Sequence, residues 1–329
     1  MSASTDALSL NTTLEVDCGA GDDELLDNGV ETASTTASLR SNSNESVEEN
    51  GRTYHKFREG AYLLPNDLLE QDRLSIQHNL FVLTLENKLF FAPVESPRTV
   101  LDIGTGTGNW AIDYAVQNPE VKVIGTDLSA IQPEWVPENC SFLIADASDE
   151  WTFTEKFDFI HGRALITCFA DPAAVFKRAY DALEPGGYFE MQDILFQPFA
   201  VDDTLKGTAM EKWNNTLIEG SKIIGRDWRC ARNYAKWFKE VGFENVVETK
   251  LVWPTNSWPK SKKQKVIGMW CMADSLKGLN AISMAIMTRV LGMSAEEVEA
   301  TVEEVKKDMQ DKSIHAYWPI YVVYGRKPL

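Results

Sequence analysis

Apolar positions change their period along the chain, and the changes mark out its elements. Between Tyr54 and Pro93, Leu69, Ile76, Leu80 and Leu83 share one helical face, and Pro65-Asn66-Asp67 supplies a helix start. Pro93 and Pro97 close that stretch. From Arg98 onward short apolar runs alternate with helical patterns. Thr99–Ile103, Val121–Thr126, Cys140–Ala145, Phe157–His161 and Tyr188–Gln192 read as strands. Helices fall over Asn109–Gln117 and Asp171–Leu183, the second stopped by Glu184-Pro185-Gly186-Gly187. Further helices are predicted over Leu205–Ile224, Tyr234–Val241 and Lys262–Leu276. A fourth follows the capping-box sequence Ser294-Ala295-Glu296-Glu297. Strands over Val246–Trp253 and Tyr317–Gly325 complete the set. The pattern predicts an α/β fold with a doubly wound, seven-stranded, mostly parallel sheet and helical cap insertions.

Composition adds an acidic tail. The 329 residues are 44% hydrophobic, enough for one large domain. The net charge of −17 is uneven, because residues 1–50 hold eleven Asp or Glu against the single Arg40. No aromatic residue precedes Tyr54, so residues 1–53 are expected to be a disordered tail. The expected organisation is then a helical lid over 54–97, a ligand-binding core over 98–194, and cap insertions with the last two strands over 195–329. No apolar run is long enough to span a bilayer, and the acidic N-terminus lacks a targeting pattern. Five scattered cysteines with no CxxC pair indicate neither a disulfide framework nor a metal site. These features point to a reducing compartment, the cytoplasm. The negative balance speaks against nucleic acid as a partner.

The informative loop is Asp102-Ile103-Gly104-Thr105-Gly106-Thr107-Gly108-Asn109-Trp110. Glycines at alternate positions between a strand and a helix permit a sharp turn and close approach of a ligand. The spacing is not G-x-G-x-x-G, since Asn109 stands where the third dinucleotide glycine would fall, and no Gly-Lys-Ser/Thr follows. Asp102 would repel a pyrophosphate but suits an ammonium group. S-adenosylmethionine carries an ammonium and a sulfonium and no phosphate. Two more acids stand at successive strand ends. Asp127, 25 residues after Asp102, suits a pair of ribose hydroxyls. Asp146 suits an adenine amino group, with Ala147 N–H toward the ring and Leu128 against its face.

With these segments the chain resembles the class I S-adenosylmethionine-dependent methyltransferases, and more narrowly the fungal LaeA-like methyltransferases of secondary metabolism. The resemblance rests on Tyr62–Asp67 with Glu70–Arg73, Leu101–Trp110, Gly125–Pro133, Phe157–Arg163, Glu184–Tyr188 and Ala316–Gly325. It implies strand order 3-2-1-4-5-7-6 with the last strand antiparallel. The expected cofactor contacts are Tyr62, Asp102, Gly104, Thr105, Gly106, Gly108, Asp127, Leu128, Asp146, Ala147 and His161.

Methyl transfer from a sulfonium is an in-line displacement with a good leaving group, so positioning can carry much of the catalysis. His161, at a strand end, is the candidate catalytic residue: a general base, a hydrogen-bond donor to the acceptor, or a packed core histidine. Arg163 could pair with a carboxylate of cofactor or acceptor, or join an ordinary salt bridge. Glu190 and Asp193 read as acceptor contacts or structural caps, and His315 as a solvated loop residue. Trp213, Trp253, Trp258, Trp270 and Trp318 stand in or beside the cap, either as core anchors or as an aromatic pocket wall. Three functions follow: methylation of a small-molecule acceptor, regulation through a protein partner docked on the acidic tail, and, more remotely, a dinucleotide oxidoreductase.

Overall fold

The computed structural model describes residues 12–17, 46–57 and 62–329. Strands β1 (Ser46–Glu49) and β2 (Arg52–His55) form an antiparallel hairpin ahead of helix α1 (Leu68–Thr84). The core follows as β3 (Thr99–Ile103), α2 (Asn109–Gln117), β4 (Lys122–Asp127), β5 (Cys140–Ile144), β6 (Phe157–Arg163), α3 (Pro172–Ala182) and β7 (Leu183–Ile194). Then come β8 (Phe199–Ala200), α4 (Ala209–Ile223), α5 (Tyr234–Val241), β9 (Glu244–Pro254), α6 (Lys262–Ala285), α7 (Ala295–Gln310) and β10 (Ala316–Arg326).

The sheet runs β5-β4-β3-β6-β7-β10, with β9 along the far side of β10 and the two-residue β8 at its start. Strands β5 to β7 are mutually parallel, and β10 is antiparallel to its neighbours. This is the order the resemblance implied, with β8 as an eighth strand. Both faces of the central strands are covered, so their side chains alternate between two cores. Val100 and Phe159 pack with Trp110 and Tyr114 on one side, while Leu101 and Ile160 join Phe157, Phe176 and Phe189 on the other. At the ligand-bearing edge the carboxyl ends of β3, β4, β5 and β6 lie side by side.

Several elements differ from expectation. Helix α1 starts where predicted, with Asp67 accepting from Glu70 N at 3.0 Å, but Leu69 is exposed. The buried face carries Glu70, Arg73, Gln77 and His78 beside Ile76, Leu80 and Phe81, because this helix lines a polar cavity as well as the core. Strand β7 begins at Leu183, so Glu184–Gly187 is absorbed into it through an irregular register rather than preceding it. Helix α6 runs past Leu276 to Ala285 and into a π-helical turn over Ile286–Val290. The Ser294 capping box forms as the sequence predicts, with both of its hydrogen bonds made.

Two stretches of the expected tail are placed on the domain. Val16 bridges Pro259, with Lys260 N donating to Glu15 O at 2.9 Å. In the hairpin, Arg52 forms two hydrogen bonds to Asp67, at 2.5 and 2.9 Å, so a boundary at residue 54 would cut an ordered element. The rest of the expected tail lies outside the described residues. Among those residues, no helix is long and apolar enough to cross a membrane.

Candidate active site

The glycine loop adopts a conformation that only glycine takes easily, with φ of 62° at Gly104, 57° at Gly106 and 80° at Gly108. A Cβ at Gly104 would also stand 2.4 Å from Leu165 Cδ2. Thr105 N donates to Thr126 O at 2.9 Å, tying the loop to β4.

Asp102 braces this loop from below. Its Oδ2 accepts from Thr105 Oγ1 at 2.6 Å and its Oδ1 is 2.7 Å from His161 Nδ1. The His161 ring stacks on Trp110, 3.8 Å between centroids and 4° from parallel, and is fully buried. Burial holds its pKa below the usual histidine value, so the ring is neutral and Nδ1 donates to the acceptor-only carboxylate. The Trp110 indole is fixed in turn by donation to Leu89 O at 2.9 Å.

Asp127 closes the other side. It accepts from Gly106 N at 2.8 Å and Ser129 N at 2.9 Å, one bond to each oxygen. Burial pushes its pKa up while these two donors pull it down. Gln132 Nε2 donates to Gly106 O at 2.6 Å and Ser129 O at 3.0 Å, clamping the two loops together. Asp146 Oδ1 accepts from Ser148 N at 2.8 Å.

All three acids line one cavity of about 310 Å³, together with Tyr62, Gly104, Thr105, Gly106, Leu128, Ala147 and His161. Gly108 is the expected contact that does not reach the wall; it packs against Phe142 at the start of α2. Among the described residues, no lysine lines the cavity.

The cavity continues into an aromatic half formed by Phe196, Trp213, Trp253 and Trp318 with Leu279 and Met309. Trp213 Nε1 donates to Ser283 Oγ at 2.8 Å and Trp253 Nε1 to Thr84 Oγ1 at 2.7 Å, so both indoles are locked. Trp258 and Trp270 are not on this wall; Trp258 donates to Ala316 O instead. Between the halves lies a buried ion triad that sequence reading missed. Arg73 Nη2 bonds Glu70 at 2.7 Å and Nη1 bonds Asp274 at 2.8 Å, across 201 positions. Gln77, His78 and Arg226 also line the cavity, with no signal in the sequence beyond the helical spacing of Glu70, Arg73 and Gln77.

Asp193 lines the cavity and accepts from Tyr234 Oη at 2.7 Å, Leu165 N at 3.2 Å and Ile166 N at 3.3 Å; burial pushes its pKa up to about 7. Glu190 lies off the wall, accepting from Phe91 N at 2.8 Å and Ala92 N at 2.6 Å, and burial likewise pushes it up to about 7. His315 is not a free loop residue. Its ring pairs with Asp202 at 2.6 Å, away from the cavity.

This donor set fits S-adenosylmethionine. Asp127 is held by backbone N–H groups with its carboxylate on the cavity wall, and the glycine turn leaves room beside it for a nucleoside. A methyltransferase-domain family profile matches residues 76–248, more than half of the chain. The chain belongs to that family. It is an S-adenosylmethionine-dependent methyltransferase. It is 36% identical to the probable methyltransferase tdiE of Emericella nidulans over 79% of this chain and 82% of that protein. It is 34% identical to the methyltransferase pytC of Aspergillus terreus over 91% and 93%. The protein-methionine methyltransferase laeA of Emericella nidulans is 34% identical over 92% and 82%.

Proposed function

We propose that this methyltransferase acts in secondary metabolism, on a small, largely apolar and planar acceptor held in the aromatic half of the cavity. The observation that carries this reading is the continuity of that wall, with its two hydrogen-bonded indoles, with the glycine-loop cradle. The relatives tdiE and pytC, matched over most of their length, support it.

When bound, the cofactor supplies a sulfonium-linked methyl group. The residues of the chain do the rest by placement. Asp127 takes ribose hydroxyls, and Asp146, Ala147 and Leu128 hold the base. Tyr62 covers the cofactor from the lid. Asp102 holds the turn at Thr105 and is itself held by His161. We assign His161 a positioning role from its Nδ1 bond to Asp102 and its clamping on Trp110, an arrangement that leaves Nε2 as the one ring nitrogen open to an acceptor. Locked aromatic groups exclude water and set the line of approach, which is where the rate gain of such a displacement resides.

The test is methyl transfer from labelled cofactor to a panel of aromatic small molecules. Trp318→Ala is expected to raise the acceptor KM at least tenfold while cofactor affinity is unchanged. Cofactor binding with no transfer to any small molecule, and labelling of a protein instead, would overturn the reading.

A second reading is regulation through a protein partner, in cytoplasm or nucleus, favoured by the match over 82% of its length to laeA, which also carries the name secondary metabolism regulator. The acidic segment would then dock a basic partner. Deleting residues 18–45 separates the two, since it should abolish partner capture on the regulatory reading and leave small-molecule turnover intact on the first.

A further inference from the structure

The cavity wall holds three arginines, and they are not equivalent. Arg73 is saturated by Glu70 and Asp274. Arg226 donates to Thr167 O at 3.0 Å. Arg163 has no ion-pair partner among the described residues. Its Nη2 donates to the Nδ1 of His78 at 2.8 Å, its guanidinium lies 5.0 Å from the centroid of the Phe81 ring, and its Nη1 has no partner.

This arrangement holds a cation in place without neutralising it. His78 Nδ1 accepts from Arg163, so its proton is on Nε2, which lies 2.9 Å from Asp113 Oδ2. The group in direct contact with the guanidinium is thus an uncharged ring, and Asp102 and Asp113 act on it only without direct contact. Burial lowers the Arg163 pKa to about 10, the mark of a charge short of compensation. The backbone at this point is also fixed. Ala164 takes a left-handed φ of 57°, its N–H donates to Gln192 O at 2.9 Å, and Asp193 holds the next two N–H groups. Strain of this kind persists where surrounding structure imposes it, and it clusters at ligand sites. Gly162 pairs with Ile103 in register, which sets Arg163 level with the start of the glycine loop.

We propose that Arg163 is a carboxylate-binding site in the cavity, completed when an anionic ligand group meets its unpaired guanidinium. The carboxylate has two sources: the amino-acid end of the cofactor, or an acidic acceptor. A planar fork over an aromatic face is the side chain suited to such a group. The acceptor source rests on the small-molecule reading above, whereas the cofactor source does not.

Calorimetry distinguishes them. In the first arm, wild type and Arg163→Met are titrated with S-adenosylmethionine and with its decarboxylated form, which retains ammonium and sulfonium. In the second, protein saturated with S-adenosylhomocysteine is titrated with 2-naphthoic acid and 2-naphthamide. A preference for the carboxylate of tenfold or more in wild type, lost in Arg163→Met and partly kept in Arg163→Lys, is expected in the arm that names the source. Equal affinity for carboxylate and neutral analogue in both arms with wild type overturns the proposal without any variant. So does a preference that Arg163→Met leaves intact. If neither naphthyl probe binds, the small-molecule reading is weakened and the cofactor arm alone decides the role of Arg163.

Discussion

The two halves of the cavity are built in opposite ways. The cofactor half comes from loops that follow β3, β4 and β5 directly, and its acids brace short stretches of backbone next to them: Asp102 to Thr105, Asp127 to Ser129, Asp146 to Ser148. The second half gathers residues from α1, α4, α6, β9, α7 and β10 and is bordered by an ion triad in which Arg73 and Asp274 are 201 positions apart. A site at strand termini is set by local sequence, while a site between packed helices is set only once those helices have met. Changes in the first half should therefore alter ligand binding and spare the fold; changes at the polar border of the second should damage the fold itself.

The largest effect is expected at Arg73. Arg73→Met strands Glu70 and Asp274 together without their cation, and chemical denaturation should show a loss of about 3–5 kcal/mol. A loss below about 1 kcal/mol would mean that the triad does not hold the acceptor half together. Asp127→Ala should weaken S-adenosylhomocysteine by about 100-fold in calorimetry, since it removes acceptors for charge-assisted hydrogen bonds worth about 1.5–3 kcal/mol each. Unfolding of that variant should change much less than that of Arg73→Met, and a reversal of this order would undo the contrast.

A pH series sharpens the same point. Glu190 and Asp193 are both raised by burial to about 7, well above unfolded carboxyls. The folded state then binds more protons than the unfolded state across that interval. Stability should fall as pH rises from the ordinary carboxylate range to about 7 and level off above it, with a slope approaching about 1.4 kcal/mol per pH unit for each group. Glu190→Gln should flatten part of the slope without touching cofactor affinity, because Glu190 is off the cavity wall. An unchanged slope would show that Glu190 is ionised in the fold. The smallest effect is expected at Gln132, where Gln132→Ala removes the clamp on Gly106 O and should weaken cofactor binding about three- to tenfold.

What the sequence made legible follows the same division. The glycine turn, the convergence of Asp102, Asp127 and Asp146, and the Ser294 cap are readable because each depends on neighbours within a few positions or on strand ends of a parallel sheet, whereas the strand order came with the family resemblance. The inward face of α1 was misread, since apolar periodicity placed Leu69 inside and gave no weight to Glu70 and Arg73, whose burial becomes tolerable only with Asp274 in place. A histidine at a strand end looks alike in sequence as a base or as a brace. The stacking of His161 on Trp110 is a tertiary fact. The unpartnered Nη1 of Arg163 is equally invisible in the sequence, as it depends on how α1 and β6 meet.

The most direct measurement is calorimetric titration of wild type and of the double variant Asp127→Ala with Asp146→Ala, using S-adenosylmethionine and NADH as ligands. Saturable binding of the sulfonium nucleoside, its loss in the double variant while the thermal transition persists, and no heat from NADH are expected. Undiminished binding by the double variant, or saturable binding of NADH to wild type, would contradict the assignment of these strand-end carboxylates.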